Sequence, residues 1–160
     1  MEAGSIARML REGYDVSLLA DGVRQIGEDL ALDTLLIDTH PGLNEETLLA
    51  ITLSGTIVIV LRPDRQDFQG TAVTVEVARK LEVPQILMVA NKVPDPIDDA
   101  ELGEQITSAY GAELVATLPH CDELMLLGSH GLLCHEQAEL EWSQRVGQVA
   151  DALQSQAVTA

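Results

Sequence analysis

Lysine is scarce in this sequence, and its positions exclude one common way of binding nucleotides. The 160 residues contain only two lysines, Lys80 and Lys92, and none of the twelve glycines is followed by a lysine. A phosphate-binding P-loop ends in Gly-Lys and a hydroxyl residue, because its backbone amides and its lysine surround the phosphates. These residues therefore contain no P-loop of the ordinary kind.

Aromatic residues are equally few, with one Phe, one Trp and two Tyr. Since 46% of the residues are hydrophobic, the core must consist of aliphatic side chains, which is typical of parallel strands covered by helices. A chain of this length can bury one core. We therefore expect a single α/β domain over residues 1–160, with a mainly parallel sheet of about four strands flanked by helices.

Positive charge is missing from a long part of the chain. The formal net charge is −17. The stretch between Val93 and Gln144 contains eleven carboxylates and no Lys or Arg. Such a surface repels phosphate backbones and anionic lipid, so we expect neither a nucleic acid nor a membrane as partner. We interpret the stretch as a solvated acidic face, with a docking site for a basic partner as the alternative.

Long apolar runs are absent as well. No run approaches the roughly 18 residues that a spanning helix needs. The residues after Met1 are amphipathic and do not resemble a signal peptide, so we expect a cytoplasmic protein. In a reducing compartment Cys121 and Cys134 should be free thiols, and a disulfide between them is not expected.

Cysteine and histidine cluster near the end of the chain, which raises the question of a metal site. The cluster consists of His120, Cys121, His130, Cys134 and His135. Structural zinc sites pair their ligands in tight Cys-x-x-Cys or His-x-x-x-His units, and these spacings do not match. We therefore predict ordinary loop and helix residues and no metal.

Apolar segments that end on polar residues indicate buried parallel strands. We predict strands over 32–37, 55–61, 84–90 and 113–118, and helices over 4–12, 15–30, 45–53, 66–81, 98–110, 122–127 and 140–153. Segment 66–81 also alternates valines as a strand would. A helix is preferred there, because it supplies the crossover that parallel strands require.

Asp38 follows the first apolar strand and begins a turn of the sequence Thr-His-Pro-Gly-Leu. At the carboxyl end of a parallel strand such a carboxylate can orient a Mg²⁺-bound water. The alternative is a turn or helix cap. Two further predicted strand ends, at 62–64 and at 91–92, should lie on the same edge of the sheet as Asp38.

Together these features resemble the MinD/ParA family of deviant P-loop ATPases. The resemblance rests on the Asp-Thr-x-Pro-Gly-Leu loop at 38–43, Arg-Pro at 62–63, Gln-Gly-Thr-Ala at 69–72, Asn-Lys at 91–92 and Leu-Pro-His at 118–120. It extends over nearly the whole chain from Ala3 onward.

The resemblance implies ATP and Mg²⁺ as ligands. The implied nucleotide-binding residues are Asp38, Thr39, Gly42, Asn91, Lys92, Pro119 and His120. In the family the position of Asp38 approaches the Mg²⁺ shell, that of Asn91 contacts the adenine edge, and that of Pro119 lines the base pocket. A guanine-specific Asn-Lys-x-Asp motif is the alternative at Asn91, but Pro94 stands where its Asp belongs, so adenine is preferred.

The family's Walker A loop would lie before Ile6 and has no counterpart here. The resemblance implies that the lost strand is central, between those matching 32–37 and 56–61. Both strands would then expose unpaired backbone, so we expect them to pair directly or with another chain. The membrane-targeting helix of some MinD proteins is not expected, because Arg145 is the only basic residue in 140–160.

Two hypotheses follow for the function. The first is a MinD/ParA-like nucleotide-binding domain, related to ATPases of cell division or partitioning, in which Asp38 is catalytic only beside a P-loop part. This chain alone would then be unable to hydrolyse ATP, and its partner would be a second copy in a homodimer or a chain that supplies the P-loop part. The second hypothesis is a degenerate, non-catalytic interaction or regulatory module.

Overall fold

The computed structural model describes residues 16–128 and 130–157. The chain divides into two compact units, Met1–Leu53 and Ser54–Ala160. No helix in the described ranges is long and apolar enough to cross a membrane. The single domain predicted for the whole chain stays a prediction.

The first unit contains two described helices, α1 (Val16–Asp29) and α2 (Glu45–Leu53). The backbone amide of Leu32 closes the end of α1 by donating to the Gly27 carbonyl at 2.9 Å. Asn44 precedes α2, and its side-chain oxygen accepts from the Thr47 amide at 2.8 Å, as an N-cap residue does. Both helices are confirmed, while the helix predicted over 4–12 lies outside the described residues.

The strand predicted over 32–37 is wrong, because this segment has neither helical nor strand structure. Its apolar residues remain in contact with solvent, and Leu36 is 77% exposed. A strand forms only when a neighbour pairs with its backbone groups, and the segment belongs to no described ladder. The expectation that this segment pairs with 56–61 or with another chain stays a prediction.

The second unit is built on a parallel sheet of three strands in the order β1-β2-β3. The strands are β1 (Thr56–Leu61), β2 (Gln85–Val93) and β3 (Glu113–Pro119), joined by α3 (Arg65–Lys80) and α4 (Asp99–Tyr110). The helix prediction for 66–81 is therefore confirmed, and so is the α/β class with a parallel sheet flanked by helices. Four strands were predicted, and the described residues form three.

Local sequence signals set the ends of the connecting helices. Asp64 accepts from the amides of Gln66 and Asp67 at the start of α3, and Asp98 caps α4 in the same way. Gly111 ends α4 with φ +57°, a left-handed conformation that favours glycine.

Three further helices follow the sheet: α5 (Asp122–Leu127), α6 (Leu133–Glu136) and α7 (Glu141–Ala157). The first and last confirm the helices predicted over 122–127 and 140–153. Helix α6 was not predicted, because four residues are too few for a helical period to be recognised.

The two faces of the sheet bury separate apolar clusters. On one face, Met88 and Ala90 of β2 pack among residues of α3 and α4, including Ile106, which is fully buried. On the other face, Val89 packs with residues of β3 and with Trp142 of α7. Because side chains alternate along a strand, an apolar run such as 86–90 fills both clusters. The unit therefore has a helix–sheet–helix arrangement of three layers.

Candidate functional site

The candidate site is the edge of the sheet where the three strands end. Since β1, β2 and β3 are parallel, their carboxyl ends lie on one side. The segments at this edge are Arg62-Pro63-Asp64, Asn91-Lys92 and Pro119-His120. The common location of 62–64 and 91–92 was predicted and is confirmed. Asp38 was predicted at the same edge, and its place there stays a prediction. Open parallel sheets bind ligands at this edge.

A bulge shapes β2 at this edge. Asn91 lies opposite Leu118 of β3 and Val93 lies opposite Pro119, so the residue between them, Lys92, has no partner position. Lys92 adopts φ +56°, which is uncommon for a residue with a side chain. The side-chain oxygen of Asn91 accepts from the Lys92 amide at 2.9 Å and supports this turn. Bulges of this kind change the direction of a strand next to binding sites.

Arg62 is the first residue after β1, and two carboxylates hold it. Its backbone amide and Nε donate to Asp67 Oδ2 at 2.9 and 3.1 Å, and its Nη2 donates to Asp67 Oδ1 at 3.1 Å. Asp64 Oδ2 lies 3.3 Å from the same guanidinium. The hydrogen bonds from Arg62 lower the pKa of Asp67. Arg62 therefore fixes the start of α3, and its charge is compensated locally.

The residues after β3 form the third part of the edge. His120 Nε2 lies 3.1 Å from Asp122 Oδ1. Cys121 is buried, and its sulfur accepts from the Leu124 amide at 3.4 Å, so the thiol caps α5. Cys121 and Cys134 are both free. In the described ranges no three His, Cys, Asp or Glu side chains lie close enough together to hold a metal ion.

A cavity of about 490 Å³ opens beyond β2 and β3. Its lining includes Val93, Pro119, Asp99, Glu141 and Arg145. The chain pattern did not reveal this cavity, because its wall is completed by α7, which returns to the sheet from far along the sequence.

Arg145 is the residue that joins the parts of this wall. Its Nη1 donates to Asp99 Oδ2 at 2.6 Å, to the Thr117 carbonyl at 2.9 Å and to the Thr117 hydroxyl. Its Nη2 lies 2.7 Å from Glu141 Oε1. These contacts, led by the bond to Asp99, raise the pKa of Arg145. The guanidinium thus connects α7 to β3 and to the start of α4.

The predicted metal-side residues Asp38, Thr39 and Gly42 lie in the first unit, in an exposed loop. Asp38 does not follow a strand, since 32–37 forms none. The loop is tied to α2 by the Thr47 hydroxyl, which donates to the His40 carbonyl at 3.3 Å. Gly42 adopts φ +92°, which favours glycine at this position. The roles of Asp38, Thr39 and Gly42 toward a nucleotide stay predictions.

The sequence matches no protein-family profile, and it has no significant match among curated proteins. The structure does resemble solved structures. The MinD cell division protein of Aquifex aeolicus matches with a TM-score of 0.75 and 16% sequence identity, over 88% of this chain and 61% of that one. A second match is the MinC:MinD cell division protein complex of the same organism, with a TM-score of 0.74 and 15% identity, over 88% of this chain and 60% of that one.

These matches concern the fold. The chain spans about three fifths of the length of the MinD chains it resembles. The resemblance expected from the sequence motifs is thereby confirmed at the level of structure. The chain has a MinD-like α/β fold.

Proposed function

We propose that this chain is a nucleotide-binding domain related to MinD/ParA ATPases of cell division or partitioning, and that it recognises the adenine end of ATP. The supporting observation is the bulge at Asn91-Lys92, on the ligand-binding edge of a parallel sheet with a MinD-like fold. In this proposal Asn91, Lys92, Pro119 and His120 surround the base.

Asn91 has the chemistry that adenine requires. One lone pair of its side-chain oxygen is used by the Lys92 amide, and an amide oxygen has two. The second lone pair can accept from the exocyclic amine of adenine, while the side-chain NH₂ donates to a ring nitrogen. Asn91 is half-buried, and its bond to the Lys92 amide orients the side-chain amide.

Hydrolysis requires groups that these residues do not contain. Phosphoryl transfer depends on cations and backbone amides that neutralise and position the phosphates, and no Gly-Lys occurs in the sequence. We therefore propose that Mg²⁺ and the triphosphate are held jointly with a P-loop part. Asp38, Thr39 and Gly42 would contribute from the metal side. The P-loop part belongs either to further residues of the same protein or to a partner, and a homodimer is the alternative assembly.

The second candidate function is a non-catalytic interaction module. It is favoured by the exposed apolar residues of the first unit, among which Leu18 is 72% exposed and Leu36 is 77% exposed. Several large exposed apolar side chains in one part of a chain mark an interaction surface, whereas single ones are ordinary.

Titration of the 160-residue chain with nucleosides separates the two candidates. Calorimetry with Mg-ATP should detect no micromolar affinity, because a base pocket alone gives weak binding. Millimolar adenosine should instead shift the amide resonances of Asn91, Lys92 and His120 in nuclear magnetic resonance spectra, and guanosine should shift them less. Micromolar Mg-ATP affinity would contradict the need for a P-loop part.

Variants of Asn91 test its role directly. Asn91→Asp keeps the acceptor for the Lys92 amide but replaces the NH₂ donor, so the fold should persist while the preference for adenosine over guanosine falls about tenfold. Gln105→Glu, an exposed position on α4, makes the same charge change away from the edge and is the matched control. Equal shifts with both nucleosides in the unchanged chain would favour the interaction module.

A further inference from the structure

We propose that α5 and the turn that leads to α6 form a docking site for a basic amphipathic helix of a partner protein. This docking site comprises Leu124, Met125, Leu126 and Leu132. Their exposed fractions are 37%, 68%, 86% and 67% in that order. Single exposed apolar residues are ordinary, but several large ones in adjoining segments mark an interaction surface.

The backbone keeps these residues near one another. Gly128 donates to the Leu124 carbonyl and His130 donates to the Leu127 carbonyl, both at 3.2 Å, so the chain folds back directly after α5. Helices α5 and α6 are in contact, and Leu132 stands at the N-cap of α6. The docking site is therefore an arrangement of two adjacent segments of the second unit.

The charge around the docking site selects the occupant. Exposed carboxylates flank it in sequence on both sides: Asp122, Glu123, Glu136 and Glu139. No Lys or Arg occurs from Pro94 to Gln144. The next cation along the chain, Arg145, is already bound to Asp99 and Glu141. The surface therefore combines apolar side chains with negative charge that no nearby Lys or Arg in the sequence compensates.

A second copy of the chain, an anionic membrane or a helix of a partner protein could each cover the apolar side chains. The charge of the surface distinguishes between these three occupants. A second copy would bring the same four carboxylates against this surface, and an anionic membrane would be repelled in the same way. A helix with leucine-type residues at i, i+3, i+4 and i+7 and with Lys or Arg beside them satisfies both properties of the surface. Such a segment of a partner protein is the occupant that we infer.

The probe for this proposal is a fluorescein-labelled synthetic helix of Leu and Lys with its leucines on one face. Fluorescence anisotropy with the 160-residue chain should show saturable binding. The variant Leu126→Ser should weaken this binding at least about tenfold, because the leucine side chain that the bound peptide would cover becomes polar. Val73→Ser is the matched control, since Val73 is 52% exposed on α3, and it should leave the affinity unchanged.

Two further measurements examine charge and specificity. The double variant Glu136→Gln, Glu139→Gln should weaken binding severalfold at low salt and reduce the salt dependence. A scrambled peptide of the same composition, which has no apolar face, should bind at least about tenfold more weakly. Thermal unfolding of each variant shows whether the fold is retained, and Met125→Ser replaces Leu126→Ser if the latter unfolds.

Specific outcomes overturn the proposal. Equal affinity of the scrambled peptide would mean attraction by net charge alone. Unchanged affinity of both serine variants would exclude the docking site. Light scattering that shows a dimer abolished by Leu126→Ser would assign the surface to a second copy. Sedimentation with phosphatidylserine vesicles that depends on Leu126 would assign it to a membrane.

Discussion

Arg145 is expected to be a main electrostatic support of the second unit, so Arg145→Ala should destabilise the protein by about 2–4 kcal/mol. The guanidinium joins α7 to β3 through Thr117 and to α4 through Asp99. Its removal would leave the Thr117 carbonyl and hydroxyl without their charged donor. The Thr117 residue is 6% exposed, so water cannot easily replace that donor.

The magnitude follows from the burial of the partners. Hydrogen bonds from a charged donor contribute about 1.5–3 kcal/mol each, and a buried acceptor left unpaired costs a similar amount. Nη1 carries two hydrogens for three acceptors, so these contributions do not add in full. The carboxylates of Asp99 and Glu141 are 47% and 65% exposed, and such pairs add about 0–1 kcal/mol. The buried bonds to Thr117 therefore supply most of the effect.

Urea unfolding followed by circular dichroism measures this change. Arg145→Lys should recover part of the loss, because an ammonium keeps the charge but cannot reach all the acceptors of the planar guanidinium. Lys80→Ala is the control, since its pair with Glu76 on α3 is 2.7 Å long but 72% and 66% exposed. It should change the stability by about 0.5 kcal/mol or less. If Arg145→Ala and Lys80→Ala shift the urea midpoint equally, the reasoning from buried acceptors is wrong.

Three further predictions concern pH, core packing and the exposed segment 32–37. Because Arg62 lowers the pKa of Asp67 below its ordinary value of 3.8, this carboxylate contributes stability above that pH and loses it as the pH falls through the lowered pKa. Asp67→Asn should therefore flatten the loss of stability below about pH 4 in thermal melts, and an unchanged acid profile would contradict it. Ile106→Ala, at a fully buried position, should cost about 2–5 kcal/mol. Leu36→Ala, at a position 77% exposed, should change the unfolding free energy by about 0.5 kcal/mol or less, and a larger effect would mean that Leu36 is covered in solution.

The helices and the three strands of the second unit could be predicted from the sequence because their signals are local. The valines of α3 fit both a strand and a helix, and the requirement for a crossover decided between them. Asp64, Asp98 and Gly111 mark helix ends through bonds to residues within four positions. Such bonds are encoded by neighbours in sequence, so a pattern is sufficient to find them.

The segment 32–37 shows where this reasoning fails. Its composition is that of a buried strand, yet pairing is a property of two segments and not of one. The sequence of a single segment does not specify whether a neighbour is available. The same limitation applies to Arg145, whose partners Asp99 and Thr117 are 46 and 28 positions away.

The bulge at Asn91-Lys92 was only half predictable. The change from apolar to polar residues after Ala90 marks the carboxyl-terminal part of β2, and this part was recognised from the sequence. The left-handed Lys92 was not, because a lysine carries no signal for positive φ. It became evident only from the register, in which β3 advances one residue while β2 advances two.

The distribution of cations at the sheet edge supports the proposal that base recognition and phosphate binding are separate. Arg62 is held by Asp67 and Asp64, and Arg145 is held by Asp99 and Glu141. In the described ranges, Lys92 and Arg65 are the exposed cations near this edge that form no ion pair with a carboxylate. Two isolated exposed charges are strongly screened by solvent and salt. A triphosphate needs several donors that converge, so in the proposed function its affinity comes from groups beyond this edge, whereas the amide of Asn91 is the proposed contact to the base.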